Sequence, residues 1–285
     1  MSIYPRPFLF WLGRRKVIFK MLIDHQKREA LRAFFERLYV RAQSDKERAV
    51  TDKAAKIGQI LGYLEIVHAQ LRTYSTKRPL VCIDCGAGNA YLSFLVYYFY
   101  TELEKRSVVI HCLDTNTKLV DKARRRAHDL GFDHMHFHAC DIAEYASTER
   151  TDMVYSLHAC AEATDKTLHL GVRQDATCLL SVACCQHKDE WQLQNHLYAG
   201  LTKHRIFKDR IVYMVADALR ALLLEMQGYK VDILEFASTR HTEKNAMLRA
   251  CKGLIKDRKE LQCEYEQMRD AFQITPTLEQ YLDAD

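Results

Sequence analysis

The sequence predicts an α/β fold: a mostly parallel, Rossmann-like sheet with a C-terminal antiparallel hairpin and additional N-terminal helices. A strand-like apolar run at 80–84 leads into a glycine turn and a helix start. Strand and helix patterns then alternate, which is typical of a parallel sheet with helices on both faces. Near the end, strand patterns at 229–236 and 246–251 are joined by a short polar loop, which allows only antiparallel pairing.

Each element has its own signal in the chain. Two helices are predicted at 24–42 and 51–72, the second capped by Thr51 and carrying apolar residues at helical spacing. The parallel strands are predicted at about 80–84, 108–113, 134–139, 152–158 and 177–184. A long helix at 206–227 is ended by Gly228. A charged surface helix at 254–273 and a short tail after Pro276 complete the predicted order.

The segment 80–93, L-V-C-I-D-C-G-A-G-N-A-Y-L-S, contains the first candidate site. An apolar run ends in Asp84, and Gly86, Gly88 and Asn89 follow before a helix-prone stretch. Glycine in such a turn lets the backbone approach a ligand closely. A carboxylate two residues before the first glycine would repel a pyrophosphate, but it suits a ligand with a positive amino group. S-adenosylmethionine has such a group, so we predict it as the cofactor, bound by these four residues.

Two further strands end in acids on the same predicted edge of the sheet. Asp114 ends the second strand, where it can accept both ribose hydroxyls of an adenosyl group. Asp141 and Ile142 follow the third strand, where they could bond the adenine amino group and pack on its face. Asp is also common after strands because it caps the following helix. A nicotinamide dehydrogenase is the main competitor, but Tyr91 replaces the third glycine of that fingerprint.

Composition indicates a globular enzyme. The chain has 285 residues, of which 48% are hydrophobic. Its ten cysteines are scattered without a secreted-type framework, so we expect a reduced, cytoplasmic setting. Cys82 and Cys85 have C-x-x-C spacing, but no second pair follows, so we expect no zinc there. No apolar run is long enough to cross a bilayer, so we expect no membrane partner.

The charge distribution singles out the start of the chain. The net charge is +5, and residues 1–20 hold five basic residues and no acid, so the remainder is neutral. The basic balance therefore says little about nucleic acid. Met21 opens a stretch that is typical of a protein start. We expect residues 1–20 to be an upstream extension that packs little.

A second candidate site follows the fourth and fifth strands, which are expected to be neighbours. Their ends read L-H-A-C-A-E-A-T-D and S-V-A-C-C-Q-H. The His and Cys side chains could form a substrate pocket that orients or deprotonates the acceptor, hold a metal ion, or pack as small apolar groups. We favour the pocket and expect no metal. The candidate catalytic residues are His158, Asp165, Cys184, Cys185 and His187.

Four segments resemble a class I methyltransferase family. They are L-H-A-C-x-x-A-T-D (157–165), C-C-Q-H (184–187), D-A-L-R-A-L-L-L-E-x-x-G-Y (217–229) and H-T-E-K-N-x-x-x-R-A (241–250). The family includes bacterial proteins and, more distantly, the eukaryotic tRNA 2′-O-methyltransferase that acts on the acceptor stem. The resemblance covers nearly everything from residue 21 onward. The chain departs from the family at Ala161, where glycine is usual, and at Ala183, where proline is usual.

The motifs and the resemblance together predict an S-adenosylmethionine-dependent methyltransferase with RNA as the leading substrate and partner. The predicted domains are an N-terminal helical segment at 21–75 and a methyltransferase domain at 76–285. A protein or small-molecule methyltransferase is the alternative enzyme. Paired cysteines also occur in RNA cytosine-C5 methylation, although the flanking residues here do not match that group. The two alanine departures also allow a module that binds the cofactor without turnover.

Overall fold

The computed structural model describes residues 9–12, 15–18, 21–40, 49–159, 162–183, 198–238, 245–253 and 257–284. Two short strands near the start, β1 (Leu9–Leu12) and β2 (Arg15–Ile18), form a separate antiparallel pair. β1 lies near Tyr229–Glu235, a strand of the main sheet described below. That residues 1–20 contribute little to stability stays a prediction.

The main sheet has seven strands and, as predicted, is mostly parallel with a C-terminal antiparallel hairpin. Its strands are β3 (Leu80–Cys85), β4 (Val108–Asp114), β5 (Met135–Ala139), β6 (Met153–Ala159), β7 (Cys178–Ala183), β8 (Tyr229–Glu235) and β9 (Ala246–Lys252). Their order is β5-β4-β3-β6-β7-β9-β8. Pairing is parallel from β5 to β7, and β9 runs antiparallel to both β7 and β8. The predicted fold class is confirmed.

Helices cover both faces of this sheet. One face carries α1 (His25–Val40), α2 (Ala49–Leu71), α3 (Tyr91–Tyr98) and α4 (Thr117–Leu130). The other carries α5 (Glu162–Arg173), α6 (Arg205–Met226), α7 (Arg258–Phe272) and α8 (Thr277–Asp283). Because helices cover both faces, successive residues of a strand are apolar. In β4, for example, Cys112 packs with the first set of helices and Leu113 with the second.

Local sequence signals account for several boundaries. The Asn116 side chain accepts a hydrogen bond from the Leu119 amide at 3.2 Å and begins α4, and Gly131 ends it with φ 68°. The tail predicted after Pro276 is instead the helix α8, in which Leu278 is fully buried. Short helices such as α8 form through packing, which the local pattern does not show.

Helix α2 is held close to the sheet by two contacts. A Cβ at Gly62 would lie 2.2 Å from the Phe236 carbonyl oxygen, so glycine is required for this approach. The buried Tyr63 hydroxyl lies 3.0 Å from the Ser156 carbonyl of β6 and 2.9 Å from the Leu180 carbonyl of β7. These contacts place the neighbouring turn of α2 beside the carboxyl end of β6.

The cysteines include one feature that their scatter in the sequence does not predict. Cys178 and Cys251 lie opposite each other on β7 and β9 and are joined as a disulfide. Cys82 and Cys85 are both buried and free, and burial raises the pKa of each thiol. Within the described ranges, the structure contains no helix that could cross a bilayer.

Candidate active site

Asp84 lies at the carboxyl end of β3 and is almost completely buried. Its Oδ2 atom accepts a hydrogen bond of 2.6 Å from Ser93 Oγ on α3, and Ser93 Oγ also lies 2.6 Å from the Tyr155 hydroxyl on β6. Burial, with the nearby Asp114 charge, raises the pKa of Asp84 from 3.8 to about 7, although the Ser93 bond opposes the shift. The Ser93 hydrogen bond offsets only part of the cost of burying the Asp84 charge, so this carboxyl group is suited to pair with a cationic ligand.

The turn after β3 has the open geometry that its glycines predict. Gly86 and Gly88 have φ values of 68° and 56°, in the left-handed region that favours glycine. A Cβ added at Gly88 would meet no atom within 4 Å, so this side of the turn faces open space. Asn89, half-buried, completes the turn before α3. The turn therefore forms a cradle beside Asp84.

Asp114 joins the glycine turn to the end of β4. Its Oδ2 accepts a hydrogen bond from the Gly88 amide, and its Oδ1 accepts one from the Asn116 amide, both at 2.8 Å. The carboxylate is only half-buried. Because each carboxylate oxygen can accept more than one hydrogen bond, these bonds leave acceptor capacity. The structure thus brings Asp84, the glycine turn and Asp114 to one edge of the sheet.

Asp141 and Ile142 lie at the same edge after β5. Asp141 accepts hydrogen bonds from the Ala143 amide at 2.9 Å and from Lys166 Nζ at 2.7 Å. The hydrogen bond from Lys166 is the main reason that the pKa of Asp141 is lowered. Ile142 is buried in the core on the α5 face. Contact of Asp141 and Ile142 with an adenine stays a prediction. The sequence did not reveal that Lys166 would compete with the adenine amino group for the Asp141 carboxylate.

His158 lies in a bulge at the carboxyl end of β6. Its φ is 62°, and the pairing with β7 shifts register between Leu157 and Ala159. Its Nε2 atom lies 2.8 Å from Gln59 Oε1 on α2. Because an amide oxygen only accepts, Nε2 donates this bond and the ring's acceptor nitrogen is Nδ1. Burial lowers the pKa of His158, as does nearby Lys56, so the surroundings favour the neutral ring.

The second cluster is described only in part. Ala159 of β6 pairs with Ala183 of β7, so the strand ends that lead into the two motifs are adjacent, as predicted. Cys184, Cys185 and His187 lie outside the described residues, as does Ala161. Their convergence with His158 therefore stays a prediction.

Asp165 has a structural partner that the sequence did not reveal. It is 2% exposed, and its two carboxylate oxygens accept hydrogen bonds from Arg220 of α6 at 2.6 and 3.1 Å. Arg220 is itself 1% exposed and also contacts Asp217 at 3.2 Å. A carboxylate in a bidentate buried pair is poorly placed to accept a proton from a substrate. We interpret Asp165 as a group that fixes α5 against α6.

This interpretation of Asp165 gives a stability prediction. Asp165→Asn should lower the free energy of unfolding by about 3 kcal/mol or more, because the buried charge of Arg220 loses its bidentate carboxylate partner. Thermal denaturation measures the loss. Asp217→Asn, at a more exposed partner of the same guanidinium, is the matched control and should cost less. A normal melting temperature with loss of methyl transfer would instead assign Asp165 to catalysis.

Other residues of the site were missed because their signals are weak in the sequence. Lys56, Gln59 and Tyr63 share one face of α2, at helical spacing, and turn polar groups toward the end of β6. Polar residues at helical spacing within α2 are the signal that could have found them. Ser93 and Tyr155 have no such signal, because their role depends on contacts between distant segments.

Comparison with known proteins gives one family match. Residues 55–190 match the model of a family described as a methyltransferase domain. The matched segment runs from α2 to just beyond β7 and includes the glycine turn, Asp114, Asp141 and His158. No curated protein matches the chain.

Solved structures similar to this chain have low sequence identity. Magnesium protoporphyrin IX methyltransferase from Synechocystis PCC 6803, with bound SAH, is 15% identical over 80% of this chain and 100% of its own, with a TM-score of 0.47. A putative S-adenosyl-L-methionine-dependent methyltransferase from Methanococcus maripaludis is 12% identical over 84% and 97% of the two chains (TM-score 0.47). A putative RNA methyltransferase from Pyrococcus horikoshii is 14% identical over 80% and 98% (TM-score 0.40).

Proposed function

We propose that the methyltransferase domain matched over residues 55–190 transfers a methyl group from S-adenosylmethionine to RNA. The observation that carries the cofactor assignment is the edge formed by Asp84, the glycine turn and Asp114. The Gly88 amide bonds directly to Asp114, so the turn and the second acid form one unit beside the buried Asp84 carboxyl. This combination suits an adenosyl group that also carries an ammonium group.

The residues of this edge fit S-adenosylmethionine by charge and shape. The Asp84 carboxylate would pair with the amino group of its methionine part, and Asp114 would accept its ribose hydroxyls. The open side of Gly88 leaves space for close contact. When bound, the cofactor supplies an activated methyl group, so the protein's task is mainly alignment and exclusion of water.

An oxygen or nitrogen acceptor also needs a group that takes its proton. His158 fits this role because its lowered pKa favours the neutral ring and because its Nε2 is oriented by Gln59. Its Nδ1 atom is then the nitrogen that accepts the proton. The bulge at His158 holds the ring at the carboxyl end of β6, next to β3, which carries Asp84. We assign His158 as the general base of the transfer.

RNA as the acceptor rests on the motif resemblance and on basic side chains near this edge. Lys56 lies close to His158 and places its Nζ 4.9 Å from the Tyr91 ring, at the start of the helix that follows the glycine turn. A cation and an aromatic ring together suit a phosphate and a base. Methylation of a protein or a small molecule, or cofactor binding without turnover, would give different results in the experiment below.

Transfer of a tritium-labelled methyl group from S-adenosylmethionine to total cellular RNA tests this proposal. We expect the label in the RNA fraction, from which digestion with ribonuclease should release it. His158→Ala should lower the rate by about 100-fold or more, because a general base is worth this much. The affinity of this variant for S-adenosylmethionine should change little. The sequence prediction for His187 leads us to expect the same result for His187→Ala: a lower rate of methyl transfer with little change in cofactor affinity.

The distribution of the label decides between the alternatives. Label in the protein or small-molecule fraction of the same extract, and none in RNA, would reject the RNA proposal and retain the methyltransferase. Tight binding of the cofactor with no label in any fraction would indicate a module without turnover. Equal rates for His158→Ala and the unmodified protein would remove His158 from the mechanism.

A further inference from the structure

A cavity of about 290 Å³ lies between α1, α3 and α4, and none of the residues assigned above lines it. Its lining includes three aromatic residues, two arginines and one glutamate (Phe34, Tyr98, Phe132, Arg37, Arg126 and Glu102), with two leucines beside them. Phe34 stacks on Tyr98 with ring centroids 4.2 Å apart, and Phe132 lies 5.9 Å from Phe34. One cavity therefore offers flat apolar surface beside positive charge.

Arg126 is the unusual residue of this cavity. It is only 9% exposed, and its guanidinium carbon lies 5.7 Å from the centre of the Tyr91 ring and 5.9 Å from that of Phe94. In the described part of the chain, no carboxylate lies within ion-pair distance of it. The other strongly buried arginine, Arg220, has a bidentate carboxylate partner. A buried cation without an anion is costly, and a bound anion would compensate it.

Arg37 places a second cation at the same cavity from a different helix. Its guanidinium carbon lies 5.8 Å from the centre of the Phe34 ring, and the side chain is exposed to solvent. The carboxylate of Glu102 is oriented toward Lys105, at 3.7 Å, and both of these side chains are largely exposed. The net charge at the cavity wall is therefore positive on the α1 and α4 sides.

The charges and the shape define the chemistry of a ligand. Guanidinium groups match the oxygens of phosphate, and a pair of them from two helices can contact one phosphate from two sides. The cavity is larger than a bare phosphate needs, and its remaining wall, apart from Glu102, is apolar and includes three aromatic rings, which suits a nucleobase. An apolar acid would use the rings and one guanidinium, but it would leave the other cation without a partner.

We propose that this cavity binds a nucleoside monophosphate group, with its phosphate between Arg126 and Arg37 and its base against the aromatic wall. The inference rests on this cavity alone, and it does not require that RNA is the methyl acceptor. The group has two sources with the same chemistry: a free nucleotide, or a nucleotide within an RNA chain.

Binding of uridine 5′-monophosphate, with S-adenosylhomocysteine present in excess, tests the proposal. The excess occupies the adenosyl site, and uridine 5′-monophosphate lacks adenine, so the signal reports a different site. We expect binding that Arg126→Met weakens at least tenfold, while uridine without phosphate binds far more weakly. Arg125→Met is the matched control, because Arg125 is the exposed neighbour of Arg126 on α4, and it should change the affinity less than twofold. Arg37→Met should also weaken binding, and its exposed side chain makes misfolding no concern.

A second probe separates the two sources. A labelled 12-nucleotide single-stranded RNA of mixed sequence is measured with the same three variants. If only the RNA binds, and Arg126→Met and Arg37→Met weaken it at least tenfold relative to Arg125→Met, the nucleotide belongs to an RNA chain. If uridine 5′-monophosphate also binds with this dependence, free nucleotides are ligands too. If neither probe distinguishes Arg126→Met and Arg37→Met from Arg125→Met, the proposal is wrong, whatever the outcome of the methyl-transfer experiment.

Discussion

Asp84→Asn is expected to weaken S-adenosylmethionine binding by about 100-fold or more, a loss of roughly 3 kcal/mol. The carboxylate is buried at the end of β3 and would pair with the cofactor's amino group. Asparagine has the same shape and keeps an oxygen that can accept the hydrogen bond from Ser93. The variant therefore removes the charge and preserves the packing. Isothermal titration calorimetry with S-adenosylmethionine and S-adenosylhomocysteine measures the change.

The same substitution should stabilise the cofactor-free protein above neutral pH. The pKa of Asp84 is raised to about 7 in the folded state, from 3.8. When the pKa of an acid is higher in the folded than in the unfolded state, the free energy of unfolding is largest at low pH, where the acid is protonated in both states. This contribution to stability is lost as the pH rises from the pKa of the unfolded state through the pKa of the folded state. Above pH 7 the buried carboxylate therefore lowers the free energy of unfolding, and replacing it should return about 2 kcal/mol or more.

Melting temperatures of the two proteins between pH 4 and pH 8 measure this effect. The advantage of Asp84→Asn should be absent near pH 4 and grow as the pH rises toward 8. Asp121→Asn is the control, because Asp121 is an exposed acid of α4 and should show no such dependence. A variant that binds the cofactor normally, or that is less stable than the unmodified protein at pH 8, would contradict the assigned role of Asp84.

Asp114→Ala is expected to have the second large effect, a loss of cofactor affinity of about 100-fold. It removes the acceptors predicted for the ribose hydroxyls and also the oxygen that holds the Gly88 amide. Calorimetry measures the affinity. Because Asp114 is half-buried and contacts the two backbone amides of Gly88 and Asn116, the melting temperature without cofactor should fall only slightly.

Asp114→Asn separates the two contributions of Asp114. One side-chain oxygen remains to hold the Gly88 amide, but the charge and one ribose acceptor are lost. We expect an affinity between those of the unmodified protein and Asp114→Ala. If Asp114→Asn and Asp114→Ala both bind the cofactor as tightly as the unmodified protein does, Asp114 only organises the turn and the ribose assignment is wrong.

The sequence predicted the position of those candidate-site residues whose signals are local, and their contacts with a cofactor stay a prediction. Strand β3, the glycine turn and the acids at the ends of β3, β4 and β5 were recognised because each lies within a short stretch of the chain. Alternation of strands and helices then placed them at one edge. The hairpin of β8 and β9 was recognised from the short connection between two strand patterns.

The parts that the sequence did not predict depend on contacts between distant segments. Gln59 and His158 are 99 residues apart, and Ser93 and Tyr155 are 62 apart, so no local pattern relates them. Asp165 followed a strand as a catalytic acid would, yet its partner Arg220 lies 55 residues further on. The positive φ of His158 coincides with the register shift between β6 and β7, which residue types alone do not specify.

Calorimetric titration of the purified chain with S-adenosylmethionine, S-adenosylhomocysteine and a nicotinamide dinucleotide is the most direct measurement of the central claim. The geometry of Asp84, the glycine turn and Asp114 predicts that both adenosyl sulfur compounds bind with micromolar dissociation constants, near −8 kcal/mol. The nicotinamide dinucleotide should not bind, because the buried Asp84 carboxylate would repel its pyrophosphate. Binding of the dinucleotide with no binding of either sulfur compound would contradict the assignment of a methyltransferase.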